Sequence, residues 1–304
     1  MLELSRLDGR TVAVTGATSG IGYFIAERIA ALGARIIVVA RSEERGRRAI
    51  SLLPEPGRHR FVEMDLANLE SVRQAGEQLC ETDQLDGLVL NAGLIAAPES
   101  FQEGPFGTEL TVGTNVLSHV ELLRLALPSL ERAADARVVS IGSMLTQRIP
   151  FDPNNWLSQD SYRPRVAYAM SKHATEIFGF ELSRKLRSRN SPVESIVAHP
   201  GGAIDVLTAD RPGLHSRPSI VRAAARVLGP AFSSVVQGKD SAAEPAVAAI
   251  AARNLPPGDV YIGPRSNAAG PPMIAEPVAT SREPELGMFV WNETERIIGT
   301  TVLA

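Results

Sequence analysis

Short apolar runs and amphipathic stretches alternate along the chain at the spacing of a strand–helix–strand repeat. TVAVT (11–15) is a brief β-branched run, followed by glycines and by IGYFIAERIAALG (21–33), whose apolar positions recur with a helical period. ARIIVVA (34–40) is apolar throughout, as a strand buried on both faces must be. The alternation continues through a charged helix after residue 40, a strand at 60–64, a helix at 68–81, a strand in LDGLVLNAG (85–93), a helix over 108–131 and a strand in ARVVSIGS (136–143). A long helix over 165–189, a strand in VESIVAHPG (193–201), a helix at 241–253 and a last strand in DVYIG (259–263) complete the pattern. Serial βαβ units connect right-handedly, so the chain is predicted to be α/β: one doubly wound parallel sheet of about seven strands with helices on both faces. Nothing in the alternation marks a domain break, and a single domain over 1–304 is expected. Within it, the Pro- and Asn-rich stretch 144–165 reads as an insertion loop, 203–240 as a substrate lid and 264–304 as a C-terminal extension.

Composition removes several function classes. The net charge is −3, from 31 basic and 34 acidic residues, so no strong field gathers nucleic acid or anionic lipid. Cys80 is the sole cysteine, which rules out an intramolecular disulfide, and the five histidines (59, 119, 173, 199, 215) lack ligand spacing, so no metal is expected. MLELSRLDGR has no signal-peptide core, and no run approaches the roughly 20 apolar residues of a membrane span. The expected location is cytoplasmic.

TGATSGIG (15–22) joins the first strand to the first helix. Its glycines Gly16, Gly20 and Gly22 let backbone approach a pyrophosphate whose charge faces a helix N-terminus. Alone, the cluster could be a turn that only caps a helix; directly after an N-terminal strand in an alternating chain, it points to a Rossmann-type dinucleotide site. The second strand ends at Ala40 and Arg41, where an acidic residue would suit a free adenosine 2′-hydroxyl. A guanidinium at Arg41, with Arg45 one turn on, suits a 2′-phosphate instead. NADP(H) is therefore the expected cofactor, with NAD(H) the alternative if Arg41 merely begins a polar helix.

Tyr168 and Lys172, in YAMSK, lie four apart and share one helix face. A phenol titrates near pH 10, and a nearby ammonium lowers that value, which suits a group exchanging a proton with a carbonyl or alcohol oxygen as hydride moves. With only three lysines and four tyrosines in the chain, chance pairing at this spacing is uncommon.

Taken together, TGATSGIG, LNAG (90–93), Asn115 in GTNVLSH, Ser143 in VVSIGSM and Tyr168 with Lys172 resemble, in order and spacing, the classical short-chain dehydrogenase/reductase family over the first 200 residues. The 25-position separation of Ser143 from Tyr168, and the stretch YAMSKHATEIFGFELSRKL, resemble its retinol-dehydrogenase-like branch and bacterial relatives; the tail is similar to actinobacterial members. The resemblance implies a metal-independent oxidoreductase of CH–OH and C=O groups. Tyr168 would be its general acid and base, and Lys172 would lower the Tyr168 pKa and hold the nicotinamide ribose. Ser143 would bind the substrate oxygen, and Asn115 would hold a relay water. The cofactor would be held by Gly16, Thr18, Ser19, Gly20, Ile21, Gly22, Arg41, Asp65, Leu66, Asn91, Ala92, Gly93, Pro200 and Gly201, besides Tyr168 and Lys172. The lid's apolar residues suggest a mainly apolar small-molecule substrate; homo-oligomerisation stays open.

The match has departures. Leu90 replaces the first Asn of the family's N-N-A-G element, and Gly142 replaces a second serine, which reads as a looser loop. Asp205 stands where a threonine often binds the carboxamide, so either Thr208 substitutes or the loop runs differently. His119 and His199 read as structural, and Trp291 and Phe289 as packing the tail against the body. The competing reading is a non-catalytic NADP(H)-binding sensor of the same fold, which usually loses the tyrosine or the lysine. A serine hydrolase lacks its G-x-S-x-G elbow here.

Overall fold

The computed structural model describes residues 2–211, 214 and 236–303, so most of the middle of the expected lid lies outside the described residues. Its centre is an eight-stranded sheet in the order β3-β2-β1-β4-β5-β6-β7-β8. The strands are β1 (Thr11–Thr15), β2 (Arg35–Ala40), β3 (Arg60–Glu63), β4 (Gly87–Leu90), β5 (Ala136–Ile141), β6 (Val193–Ala198), β7 (Tyr261–Pro264) and β8 (Pro272–Ile274). All neighbours run parallel except β8, which pairs antiparallel with β7 through Ile262–Ile274 and Gly263–Met273. Strands β1 and β4 are buried at every position, which is why their apolar runs are unbroken.

Two apolar cores flank the sheet. On one face lie α3 (Leu69–Cys80), α5 (Ser118–Glu131) and α6 (Pro164–Ser188), with Val72, Leu79, Leu122, Leu130, Ile177 and Leu182 buried. On the other lie α1 (Gly20–Ala31), α2 (Glu43–Ser51) and α8 (Glu244–Ala251). Strand order reverses between β1 and β4, the switch point at whose carboxyl side a sheet of this kind forms its ligand crevice.

Three elements differ from the sequence expectation. The helix expected over 108–131 is broken: α4 (Leu110–Val112) passes through a π-helical turn, Gly113–Leu117, into α5. The helix expected at 241–253 divides into α7 (Lys239–Ala242) and α8, because Pro245 begins a new first turn and has no N–H to continue the old one. Strand β8 came from the tail; three residues, one of them Pro272, are too few for any periodicity to show. The tail continues as α9 (Ala279–Arg282) and α10 (Pro284–Ile298), the latter ended by Gly299 in the left-handed region at φ 76°. Trp291 on α10 stacks on Phe178 of α6, ring centroids 4.9 Å apart, beneath the Lys185 ammonium. Among the described residues no helix is long and apolar enough to cross a membrane.

Candidate active site

Apart from Asn115, Tyr168 and Lys172, which lie within helical segments, the sequence-predicted residues occupy the loops that leave the carboxyl ends of strands or the first turn of α1. The loop after β1 carries Gly16, Thr18 and Ser19 into α1, which begins at Gly20 and continues through Ile21 and Gly22. Gly16 (φ 71°) and Gly20 (φ 57°) occupy the left-handed region. At Gly22 a Cβ would stand 2.4 Å from Asn91 Nδ2 and 2.5 Å from the Gly16 carbonyl oxygen. Only glycine lets this loop fold so tightly against the turn after β4. Ser19 makes no side-chain capping bond and the first turn of α1 has no acidic residue, so no side-chain charge or cap neutralises the positive end of that helix. The cradle fits a dinucleotide pyrophosphate.

Asn91, Ala92 and Gly93 follow β4 and are tied to β1 by Thr15, whose hydroxyl accepts the Asn91 and Ala92 N–H groups, each at 2.9 Å. Asn91 Nδ2 also donates to the Thr15 carbonyl. The Thr15 hydroxyl lies 3.1 Å from His119 Nε2, and His119 Nδ1 lies 3.1 Å from the Asn115 carbonyl. A carbonyl only accepts, so Nδ1 carries the proton and Nε2 accepts from Thr15. Burial holds His119 neutral, pushing its pKa down to about 4. The histidine is a strut between the Asn115 turn and the cofactor loop, in line with its structural reading.

Arg41 and Arg45 stand exposed after β2, and Asp65 with Leu66 after β3. One Asp65 carboxylate oxygen accepts the Ala67 N–H at 3.0 Å and so fixes that turn. Asn115 lies in the π-helical turn, where the widened backbone aims its side chain at Leu94: Oδ1 accepts the Leu94 N–H at 2.8 Å. Its Nδ2 donates to the Leu94 carbonyl and to Ser171 Oγ, both at 3.1 Å. Gly93 leaves room for this carboxamide, since a Cβ there would lie 2.6 Å from Oδ1.

Ser143 follows β5, and α6 brings Tyr168 and Lys172 to it. Burial raises the Tyr168 phenol above its usual value, and hydrogen bonding to Ser143 only partly offsets this. The Lys172 ammonium is buried, donates to the Ile141 carbonyl at 2.8 Å and lies 5.9 Å from the Tyr168 ring centroid. Desolvation lowers its pKa to about 8. Lys172 lies beside Tyr168 on α6, but the expected lowering of the phenol by its charge is not what this arrangement gives: burial raises the phenol and the Ser143 bond is what opposes the rise.

Pro200 and Gly201 follow β6. Gly201 (φ 69°) is required: a Cβ would stand 2.4 Å from the Ala268 carbonyl oxygen, and the Pro200 carbonyl accepts from Gln237 Nε2 at 2.8 Å. Asp205 and Thr208 both find partners within the chain. Asp205 pairs with Lys239 at 2.5 Å, while the Thr208 hydroxyl donates to the Ile204 carbonyl and accepts the Lys239 N–H.

Two features escaped the sequence reading. Gly142 does not loosen its loop: a Cβ there would lie 2.3 Å from Glu176 Oε1. Glu176 itself is fully buried, and Oε1 accepts the Ser143 N–H at 3.2 Å. Its spacing of four from Lys172 and eight from Tyr168 was the available signal, since all three share one face of α6.

Known proteins place the chain in a family. The family model described as short chain dehydrogenase matches residues 10–210. Human retinol dehydrogenase 13 is 31% identical over 96% of this chain and 86% of that protein, and mouse polyprenol dehydrogenase 35% identical over 96% and 84%. A crystal structure of an uncharacterized protein from Mycobacterium paratuberculosis superimposes with TM-score 0.78 at 28% identity, covering 99% of this chain and 98% of that one. A short chain dehydrogenase from Burkholderia cenocepacia J2315 in complex with NADP gives TM-score 0.62 at 25% identity over 87% and 100%. The near full-length relatives and the family match agree with the loop order around the crevice: the chain belongs to the short-chain dehydrogenase/reductase family, in its retinol-dehydrogenase-like branch, and is an NAD(P)-dependent oxidoreductase of CH–OH and C=O groups.

Proposed function

We propose that the protein is an NADP(H)-preferring oxidoreductase that interconverts the carbonyl and alcohol forms of a mainly apolar small molecule, with Tyr168 as the proton donor and acceptor. The observation that carries this reading is the meeting of Ser143, Tyr168 and Lys172 at the end of β5, beside the glycine cradle after β1. The bound nicotinamide would supply or accept the hydride. Gly16, Thr18, Ser19, Gly20, Ile21 and Gly22 would hold its pyrophosphate with the N-terminus of α1, Arg41 the 2′-phosphate, and Asp65 with Leu66 the adenine. Asn91, Ala92, Gly93, Pro200 and Gly201 would line the nicotinamide half. Ser143 would donate to the substrate oxygen. Tyr168 would give that oxygen its proton in reduction and remove it in oxidation, with Lys172 holding the ribose and Asn115 a relay water behind it.

Apolar substrate preference is supported by exposed Ile95 after β4 and by Ile204 and Val206 after β6, all at the carboxyl side of the sheet. Retinol and polyprenol, in the names of two relatives, are apolar alcohols. The test is NADPH consumption against a panel of aldehydes and ketones. Turnover concentrated on long-chain, terpenoid or steroid-like carbonyls is expected; activity confined to small charged sugars would refute the reading.

A further inference from the structure

We propose that Glu176 is a positioning residue of this active site: its buried carboxyl group fixes the Ser143 loop, fastens that loop to the C-terminal segment through Ser281, and lies one helical turn from Lys172, whose charge it supports. This rests on the roles proposed for Ser143 and Lys172. Glu176 lies one helical turn beyond Lys172 on α6 and is completely buried. Oε1 accepts the Ser143 N–H at 3.2 Å and lies 3.4 Å from the Thr146 hydroxyl. Oε2 accepts from Ser281 Oγ of α9 at 2.8 Å, and the negative charge of the carboxyl group helps hold the Tyr261 phenol of β7 in its neutral form. Space for it is made by Gly142, where any side chain would displace Oε1.

A buried carboxylate this close to the reacting groups is costly unless something needs it. The charged and titratable groups around it are Lys172 on its own helix, Tyr261 on β7 and Arg282 at the end of α9, which acts on Tyr261. Burial raises the Glu176 pKa to about 7, with Ser281, the Ser143 N–H and Lys172 opposing that rise. Lys172 is pushed down by burial, and Glu176 is the group that opposes this. Each of the two therefore favours the other's charged form. Without Glu176, Lys172 would lose its proton more readily in the same dry site, and the Ser143 N–H would lose a buried acceptor.

The test is Glu176→Gln, which keeps the shape and one acceptor but removes the charge. With only three lysines in the chain, isotope-labelled lysine side chains give three NMR titrations, and Lys172→Arg identifies one of them. The expected result is a folded variant in which Lys172 binds its proton at least about tenfold more weakly, one unit of pKa. The kcat should fall by a larger factor than KM changes. A folded variant with an unmoved Lys172 titration and unchanged kcat would overturn the proposal. If Glu176→Gln does not fold, the pair Gly142→Ala with Glu176→Ala refills the vacated space, and the same titration shift is expected of it. The lysine titration needs neither substrate nor cofactor, so its outcome stands apart from failure of the Tyr168 mechanism.

Discussion

Tyr168 is pulled between burial, which favours the neutral phenol, and its proposed task, which in oxidation needs the phenolate. Reduction uses the protonated form and is expected to hold steady through neutral pH, whereas oxidation should climb with pH as the raised phenol ionises. A kcat/KM profile for alcohol oxidation that plateaus below neutrality would contradict this. Arg41→Ala should weaken NADPH binding by about tenfold to a hundredfold, the worth of a charge-assisted hydrogen-bond pair, and leave NADH nearly unaffected. Titration of each cofactor against thermal stability checks it, and equal weakening of both would break the assignment of the 2′-phosphate. Glu176, with a pKa raised to about 7 in the fold, contributes stability that is present below about pH 4.5 and is lost as pH rises to about 7. The melting temperature of the wild type should therefore fall relative to Glu176→Gln across that window; parallel curves would count against the burial account. The Tyr168–Lys172 pair was legible in the sequence because its spacing and chemistry are both local. Glu176 was not singled out because a glutamate in a helix ordinarily reads as a solvated face, and only tertiary packing shows it to be dry.

Elements carry the cradle and the turns that aim its side chains. Gly22→Ala would place a methyl group against Asn91 and the Gly16 carbonyl, where one of the two neighbours is backbone and cannot swing away. A destabilisation of about 1–3 kcal/mol is expected, with loss of cofactor binding. A wild-type melting curve and affinity would mean that the loop is far less tight than described. The principal parallel strands were legible because burial on both faces leaves apolar runs that no amphipathic helix shares. Less visible were the π-helical turn at Gly113–Leu117 and the break before Pro245. The first has no compositional mark, since its extra residue lies inside an otherwise helical period. The second was marked by a proline that an alanine-rich stretch disguised.

The whole molecule is closed by its tail. Trp291 is 3% exposed and stacks on Phe178, so α10 covers the outer face of α6, the helix that bears Tyr168, Lys172 and Glu176. The tail's packing role was legible for Trp291, whereas its link to the site through Ser281 was not, because a serine carries no sequence signal for a contact 105 positions away. All three scales meet in the proposed chemistry, an NADPH-dependent carbonyl reduction in which Tyr168 supplies the proton. The most direct measurement compares NADPH turnover on a long-chain aldehyde by wild type and Tyr168→Phe, with NADPH affinity measured alongside. The account predicts unchanged affinity and a rate lower by about a hundredfold or more. A variant that binds NADPH and turns over at the wild-type rate would contradict it.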